Sequence, residues 1–272
     1  MAGFSIASWN VNSVRLRAPQ VLDFLKKAAP DVLCLQEIKC RTEEFPQKLF
    51  REAGYGHQMV RGQKGMHGVA ILSRYPLSEL ADPPFCQNGH ARVALAKIEG
   101  ISICNLYVPA GGDEPNPDSN PKFAHKLDFL KRMQRFFAHN HAQNPKARLI
   151  LAGDLNIAPL QSDVWSHKQL LKVVSHTPVE VEALKAVQDA GAFIDTARAL
   201  IAEPEPVFTW WSYRSKDFRK NNRGRRLDHI WVSPALEEAA LAAGRAGFCA
   251  YTDCRAWPRP SDHIPIMQSL RL

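Results

Sequence analysis

The chain has 272 residues, 45% of them hydrophobic and 23% charged, which excludes a disordered chain because enough apolar material is present for a sizeable core. No apolar run approaches the roughly 18 residues that span a bilayer, and the first residues lack the pattern of a signal peptide. Six cysteines in 272 residues are too sparse for a disulfide scaffold, and the absence of a Cys-x-x-Cys pair argues against a zinc or redox site, so we expect a cytoplasmic protein.

Short apolar runs and one helical pattern organise the first part of the chain. A helix is predicted at 17–28, where Val21, Leu22 and Leu25 share one face. Glu99 and Gly100 separate two of the apolar runs and predict a hairpin. Strands are predicted at 4–9, 31–36, 68–73, 92–98 and 101–107.

The region between Pro109 and Pro121 is rich in Pro, Gly and Asp and is interpreted as a surface loop rather than a domain linker. Beyond it, helical spacing predicts a long helix at 122–139 and shorter helices at 161–174 and 179–190. Strands are predicted at 148–152, 207–211, 227–232 and 264–270.

These elements predict an α/β protein, with residues 1–272 forming a single domain. Hairpins alternate with helical crossovers, so strands of both directions are expected in the same sheet. Roughly ten strands approach the upper limit for one open twisted sheet, which favours two packed sheets with helices outside.

Polar residues recur where the predicted strands begin or end. Because strand ends meet at one edge of a sheet, such residues can form one site. They are Asn10, Glu37, Asp154, Asn156, Asp228 and His263.

Taken singly, each of these residues has an ordinary structural explanation. Glu37 follows a buried strand and suits a hard divalent cation, yet it can equally pair with Lys39. Asp154 and Asn156 follow Gly153, which permits a tight turn, and they can hold a water or simply form that turn. His263 can act as a base, as a cation facing phosphate, or as a structural histidine.

The joint pattern favours one chemistry over the others. The sequence has no serine nucleophile elbow, P-loop or Gly-x-Gly-x-x-Gly pattern, so acyl transfer and nucleotide-binding folds lose support. Carboxylates, amides and a histidine suit metal-assisted attack of water on a phosphodiester.

Eight motifs occur in an order that resembles the exonuclease III family of abasic-site endonucleases, within the endonuclease/exonuclease/phosphatase superfamily. The resemblance runs from Phe4 to the C-terminus and is weakest between Pro159 and His176. The motifs are WNVNSVR, LQEIK, KGMHGVAILSR, LYVP, GDLN, FTWWSYRS, RRLDHIWVS and SDHIP.

The resemblance implies a four-layer α/β sandwich of the deoxyribonuclease I type, with two mixed β-sheets packed face to face and flanked by helices. It implies a DNA repair nuclease that depends on Mg²⁺, with Mn²⁺ left open. Such an enzyme cuts 5′ to abasic sites, removes 3′ blocking groups and degrades duplex DNA from the 3′ end. The expected partner is double-stranded DNA with abasic sites or 3′ ends, with no membrane, and the protein is expected to be a monomer.

The resemblance also implies roles for individual residues. Glu37 binds the metal with Asn10 close by, and the further candidate ligands are Asp154, Asn156, Asp262 and His263. In the reaction, Asp154 activates or positions water with the help of Asn156, and His263 contacts the phosphate, oriented by Asp228. Tyr107 donates a hydrogen bond to the same phosphate. Trp210 and Leu227 line the pocket for the abasic sugar.

The segment 214–226 holds seven basic residues and one acidic residue, so it supplies +6 of the net charge of +8. A concentrated basic segment after aromatic residues suits contact with DNA phosphates, although a solvated charged loop is the alternative. The residues predicted to bind DNA here are Arg214, Lys216, Arg219, Lys220, Arg223 and Arg225.

Two positions depart from the human member of the family. Ala110 replaces an asparagine that follows Tyr-Val-Pro, and Arg225 replaces a tryptophan of the pocket wall. We therefore expect cleavage at abasic sites to be present but less dominant over 3′-end processing than it is in the human member. Two other functions compete: a superfamily phosphatase or phosphodiesterase for lipid or inositol phosphates, which does not need the basic segment, and a non-catalytic DNA-binding protein, which predicts the loss of a metal or phosphate ligand.

Overall fold

The computed structural model describes residues 3–214 and 217–272, and the helices and strands below refer to these residues. The strands are β1 (Gly3–Asn10), β2 (Val32–Gln36), β3 (His57–Arg61), β4 (Val69–Ser73), β5 (Leu77–Glu79), β6 (Val93–Ile98), β7 (Ile101–Tyr107), β8 (Leu149–Asp154), β9 (Ile194–Asp195), β10 (Trp210–Trp211), β11 (Gly224–Arg225), β12 (Asp228–Val232), β13 (Phe248–Ala250) and β14 (Ile266–Arg271). The α-helices are α1 (Val14–Ala28), α2 (Gln47–Glu52), α3 (Pro121–Gln143), α4 (His167–Leu170), α5 (Pro178–Ala190), α6 (Thr196–Leu200), α7 (Phe218–Asn221) and α8 (Glu237–Leu241).

Most strands belong to two six-stranded sheets. The first has the order β13-β14-β1-β2-β4-β3 and the second the order β5-β6-β7-β8-β12-β9. In each sheet one pair is parallel, β1 with β2 and β7 with β8, and the other neighbours are antiparallel. The predicted mixture of strand directions in two sheets is therefore confirmed.

Three apolar clusters hold the layers together. The central cluster lies between the sheets and joins Ile6 and Ile71 of the first to Ile103 and Ile230 of the second. A second cluster packs α1 on the outer face of the first sheet, and a third packs α3 and α5 on the outer face of the second. Side chains alternate between the two faces of each strand, so both faces of both sheets are covered and the architecture has four layers.

The hairpin predicted at Glu99 and Gly100 is present between β6 and β7. Ile98 pairs with Ile101, and the two intervening residues have φ of 48° and 76°. Two positive φ values are characteristic of the type I′ turn, whose twist matches that of the flanking strands.

The helix predicted at 161–174 is wrong. The segment instead contains a short 3-10 turn (Gln161–Asp163) and the four-residue α4. Between them the backbone is extended, because Arg226 N donates to Asp163 O at 2.8 Å and Trp165 N donates to Gly224 O at 3.1 Å. Pairing with a distant segment therefore overrides the helical spacing of this stretch.

Some strands also differ from the predicted set. Of the strand predicted at 207–211, only β10 forms, paired with β11. Five short strands were not predicted, because two to five residues of mixed polarity give little periodic signal. They are β3, β5, β9, β11 and β13.

Cys34 and Cys104 lie within the apolar strands β2 and β7, and both are fully buried free thiols. Among the described residues, no helix is long and apolar enough to cross a membrane.

Candidate active site

The polar residues predicted at strand ends meet at one edge of the sandwich. The parallel strands β1, β7 and β8 end at Asn10, Tyr107 and Asp154, and Glu37 directly follows β2. Strand β12 runs antiparallel to β8, so its first residue, Asp228, pairs with Asp154. Parallel strands bring their carboxyl ends to the same edge, which explains why residues far apart in sequence converge here.

Gly153 brings β8 close to β7 just before the site. A Cβ atom at this position would lie 2.0 Å from the carbonyl oxygen of Leu106, so only glycine fits. The turn that Gly153 permits does not form there, because β8 continues to Asp154. The chain changes direction beyond the strand, where Asn156, two residues after Asp154, adopts a positive φ of 53°.

Asp154 is buried and receives several hydrogen bonds. Its Oδ1 accepts from the backbone N of Asn156 at 2.9 Å. Its Oδ2 accepts from Nδ2 of Asn10 at 2.9 Å and from Nδ2 of Asn156 at 3.1 Å. Burial, together with the negative charge of Asp228, raises the pKa of Asp154 although His263 opposes the shift. A carboxyl group with a raised pKa is a better base than an ordinary aspartate.

His263 lies between two carboxylates. Its Nδ1 is 2.8 Å from Oδ2 of Asp228, and its Nε2 is 3.7 Å from Oδ2 of Asp154. Burial disfavours protonation, but Asp228 and Asp154 outweigh it and raise the pKa of His263, which favours the imidazolium. Thr209 supports this arrangement because its hydroxyl donates to Asp228 Oδ2 at 2.6 Å.

Glu37 has a different environment from Asp154. Its Oε1 accepts from Tyr107 Oη at 2.7 Å and from Asn10 Nδ2 at 3.0 Å, and its Oε2 lies 2.8 Å from Lys39 Nζ. Burial raises the pKa of Glu37, but the charge of Lys39 and the hydrogen bonds from Asn10, Lys39 and Tyr107 outweigh it, and the pKa lies below its usual range. Glu37 is thus held as a carboxylate, and Asn10 Nδ2 bridges it to Asp154.

The donor atoms present suit a hard cation. The side chain of Glu37 is 18% exposed and contributes carboxylate oxygens to the cleft. Asp154, Asp228 and His263 form a second group of candidate ligand atoms, which lie within 4.8 Å of one another. In that cluster, Oδ1 of Asp228 has no hydrogen-bond partner within the described residues.

Asp262 is tied to residues around the cleft rather than to Glu37 directly. Its Oδ2 accepts from Trp210 Nε1 at 3.0 Å and its Oδ1 from Asn12 Nδ2 at 3.1 Å. Asn12 Oδ1 in turn accepts from Lys39 Nζ at 2.6 Å, and Lys39 pairs with Glu37. Asp262 therefore fixes the Trp210 ring and reaches the predicted metal ligand through two intervening side chains.

A cleft of about 640 Å³ opens onto these groups. Trp210 and Trp165 are half-buried in its wall, and Leu227 is buried between them in a small apolar cluster. Arg223 stacks over Trp165 at 4.6 Å and Arg225 over Trp210 at 5.2 Å. Aromatic rings alternating with guanidinium groups form a surface suited to a sugar-phosphate chain.

The two positions that depart from the human member of the family both lie on this cleft. The guanidinium of Arg225 donates to Val174 O at 3.0 Å and to Ser175 Oγ at 2.7 Å, so it is held by the cleft wall. The side chain of Ala110 is exposed, and its carbonyl accepts from Lys126.

The basic segment 214–226 divides into buried and exposed parts. Arg226 is buried and paired with Asp163 and Asp195, so its charge is not available to DNA. Arg214 and Arg223 line the cleft and are exposed. Among the other predicted DNA-binding residues, Arg219 is exposed and pairs with Asp253 at 3.0 Å, Lys220 is exposed, and Lys216 lies outside the described residues.

Sequence reasoning missed several residues that organise the site. Thr209 lies in a segment predicted to be a strand, and Asn12 lies within the motif WNVNSVR, of which only Asn10 was assigned a role. Lys126 and Glu180 lie on predicted helices, where charged residues usually face solvent. Glu180 also occupies the N3 position of a capping box with Thr177, a pattern visible in the sequence, but nothing local indicates that either charge is buried.

The chain resembles known proteins over most of its length. The sequence pattern of the Endonuclease/Exonuclease/phosphatase family matches residues 7–263. Exodeoxyribonuclease III of Haemophilus influenzae is 33% identical over 95% of this chain and 97% of its own, and the DNA repair nuclease APEX1 of Danio rerio is 30% identical over 97% and 81%.

Solved structures match the whole fold. An AP endonuclease from Archaeoglobus fulgidus superposes with a TM-score of 0.89 at 32% identity, covering 99% of this chain and 100% of its own. The 3′ phosphatase NExo from Neisseria, bound to a product DNA hairpin, superposes with a TM-score of 0.87 at 30% identity and the same coverage.

Proposed function

Because the chain belongs to the endonuclease/exonuclease/phosphatase family and is a phosphodiester hydrolase, we propose that it is a DNA repair nuclease of the exonuclease III type. It cuts the phosphodiester bond 5′ to abasic sites, removes groups that block 3′ ends and degrades duplex DNA from the 3′ end. Its substrate is double-stranded DNA, and its cofactor is Mg²⁺, with Mn²⁺ as the alternative.

One observation carries the proposal: the side-chain amide of Asn10 links Glu37, the candidate metal ligand, to Asp154, the candidate base. Its Nδ2 atom lies 3.0 Å from Glu37 and 2.9 Å from Asp154, two groups whose pKa values shift in opposite directions. His263 lies on the other side of Asp154. A cation site, a base and an imidazolium therefore surround one small volume, as hydrolysis of a phosphodiester requires.

Each residue has a role that follows from its contacts. Asp154 takes a proton from the attacking water, while Asn10 and Asn156 fix the orientation of the Asp154 carboxylate. His263, held by Asp228, places positive charge beside the phosphate. Tyr107 donates a hydrogen bond to Oε1 of Glu37 in this structure and can donate one to a phosphate oxygen when substrate binds.

Glu37 would hold a divalent cation, which when bound would neutralise negative charge on the phosphate and on the leaving oxygen. Glu37 is the better candidate ligand than the Asp154–Asp228–His263 cluster. In that cluster both imidazole nitrogens face carboxylates and the raised pKa of His263 favours its cation, which repels a metal ion.

The aromatic and basic side chains that line the cleft, among them Trp210 and Arg223, favour DNA over a lipid or inositol phosphate as the substrate. A small headgroup would need only the polar groups around Glu37 and Asp154, whereas a nucleic acid chain would also contact the aromatic rings and arginines of the cleft. Arg225 stacks over Trp210 at 5.2 Å, at the position where the human member of the family has a tryptophan in the wall of the sugar pocket. An arginine cannot close that pocket as a flat indole would, so we expect 3′-end processing to be a larger share of the activity than in the human member.

We propose further that the protein acts as a monomer. The buried free thiols of Cys34 and Cys104 suit the reducing cytoplasm.

The proposal is tested by incubating the purified protein with an abasic duplex, a nicked intact duplex and a 3′-phosphate duplex, each with Mg²⁺ and with chelator. We expect Mg²⁺-dependent cleavage of all three, with the 3′-phosphate released at least as fast as the abasic strand is cut. Release of phosphate from inositol or lipid phosphates, with all three duplexes intact, would support the competing function instead.

Arg214 and Arg223 are expected to bind DNA phosphates without reading sequence, because both are exposed at the cleft. Replacing either by alanine should weaken binding equally across duplex sequences and reduce the slope of log affinity against log salt by about one unit. Fluorescence anisotropy in chelator at several salt concentrations measures both quantities.

Arg271 at the end of β14 provides a control, since it is exposed and does not line the cleft. The variant Arg271→Ala should leave the slope unchanged. An unchanged slope in Arg223→Ala as well would mean that this arginine only packs on Trp165.

A further inference from the structure

A buried ion pair lies directly behind the cleft. Lys126 of α3 and Glu180 of α5 are both fully buried, and the Lys126 ammonium group contacts Glu180 Oε1. Such a pair is seldom a net source of stability, because removing both charges from water offsets their attraction. Its presence beside the reacting groups therefore suggests a role other than holding α3 to α5.

Lys126 holds the backbone of the two neighbouring segments that follow β7 and β8. Its Nζ donates to the carbonyl oxygen of Asn156 at 2.9 Å and to that of Ala110 at 3.2 Å. Asn156 has a positive φ of 53°, which residues other than glycine adopt at a cost in free energy. The bond to its carbonyl stabilises that conformation, and the same residue directs its side-chain amide at Asp154 Oδ2.

Glu180 likewise holds the backbone of a neighbouring segment, at Ser175 and Thr177. Its carboxylate accepts from the backbone N of Ser175 at 3.0 Å and from that of Thr177 at 3.2 Å. Ser175 also has a positive φ, of 89°, and its hydroxyl accepts from Arg225. The ion pair thus joins the turn that orients the base to the turn that holds Arg225.

We propose that Lys126 and Glu180 are positioning residues: the buried pair fixes the Asn156 and Ser175 turns, so that Asn156 orients Asp154 and Arg225 stays on the cleft wall. The inference rests on the proposed function, since it assigns the pair to that same reaction. It predicts that the charges serve the rate of the chemical step more than stability or DNA binding.

The test uses the double variant Lys126→Met/Glu180→Gln, which removes both charges with little change in volume. Enzyme in excess over a 3′-phosphate duplex gives the single-turnover rate, anisotropy in chelator gives binding, and thermal unfolding gives stability. We expect a melting temperature lowered only modestly, because the carbonyl oxygens of Asn156 and Ala110 lose their buried donor while the cost of burying two charges is removed. Binding should be nearly unchanged, and the rate should fall by roughly tenfold to a hundredfold, the scale of a misplaced catalytic group.

A double-mutant cycle distinguishes positioning from general support. If Lys126 acts through Asn156, adding Asn156→Ala to the double variant should cost much less than Asn156→Ala costs in the wild type. Fully additive losses would overturn the proposal. The single variant Lys126→Met, which leaves the Glu180 charge buried, should unfold at a lower temperature than the double variant.

Leu184→Ala is the matched control. Leu184 is buried on α5, one turn beyond Glu180, and lies in the apolar cluster away from the cleft. It should lower the melting temperature without lowering the single-turnover rate measured below unfolding, and an equal loss of rate would make the effect of the ion pair merely structural. Absence of cleavage by the wild type overturns the proposed function with this inference, whereas a wild-type rate in the double variant overturns the inference alone.

Discussion

Replacing Asp154 by asparagine is expected to lower the single-turnover rate of DNA cleavage by at least roughly a hundredfold, the usual loss for a catalytic acid–base group. Asparagine keeps the shape of the side chain but removes its charge. The neutral side chain cannot take a proton from the attacking water, and its amide nitrogen would face donors at either position, Asn10 and Asn156 Nδ2 at Oδ2 or Asn156 N at Oδ1. The rate is measured on a 3′-phosphate duplex with enzyme in excess.

His263→Ala belongs to the same prediction and is expected to cost a similar factor, because it removes the cation that Asp228 holds beside the phosphate. DNA binding in chelator should survive both substitutions. His139→Ala, which changes an exposed histidine of α3, should cleave at the wild-type rate. Asp154→Asn or His263→Ala variants that bind poorly but cleave normally once saturated would show that these groups bind substrate and do not take part in the chemical step.

Removing divalent cations is expected to abolish cleavage, and Glu37→Gln should lower the rate and raise the Mg²⁺ concentration needed for half-maximal activity. The substitution removes the negative charge that Asn10 and Tyr107 orient, and it leaves Lys39 without its carboxylate partner. A neutral amide oxygen and an unpaired ammonium group both disfavour a cation. The rate is measured across a Mg²⁺ titration, and Mn²⁺ is titrated in parallel to compare the two metals.

Glu238→Gln is the control for charge, since Glu238 is exposed on α8 and does not line the cleft. Its Mg²⁺ requirement should equal that of the wild type. Full cleavage in excess chelator would contradict the metal-dependent mechanism. An unchanged Mg²⁺ requirement in Glu37→Gln would show that Glu37 is not the metal ligand and would favour the cluster of Asp154, Asp228 and His263 as the metal site.

The central strands could be predicted because each is a continuous apolar run bounded by polar residues. Strand β7 was predicted with the bounds it has, and β2 and β4 within one residue. Polar residues at the ends of such runs identified the candidate site, since parallel strands necessarily bring their carboxyl ends together. For Glu37 the structure shows the ion pair with Lys39, and the residue also lines the cleft, where cation binding stays a prediction.

Local patterns failed where distant segments decide the conformation. Helical spacing predicted a helix at 161–174, but pairing of Asp163 and Trp165 with residues 224–226 extends the backbone there. In the basic segment, sequence alone could not separate Arg226, buried against Asp163 and Asp195, from Arg223, which is exposed at the cleft.

The sequence by itself therefore determined the α/β class, the order of the main elements and the set of polar residues at the strand ends, because these depend on local periodicity. Only the tertiary structure decided which charges are buried and what they hold. Lys126 and Glu180 resemble ordinary helix-surface residues in the sequence, and they become a buried pair because α3 and α5 pack together behind the Asn156 turn. Burial of a charge depends on partners that are distant in sequence, and periodicity carries no information about them.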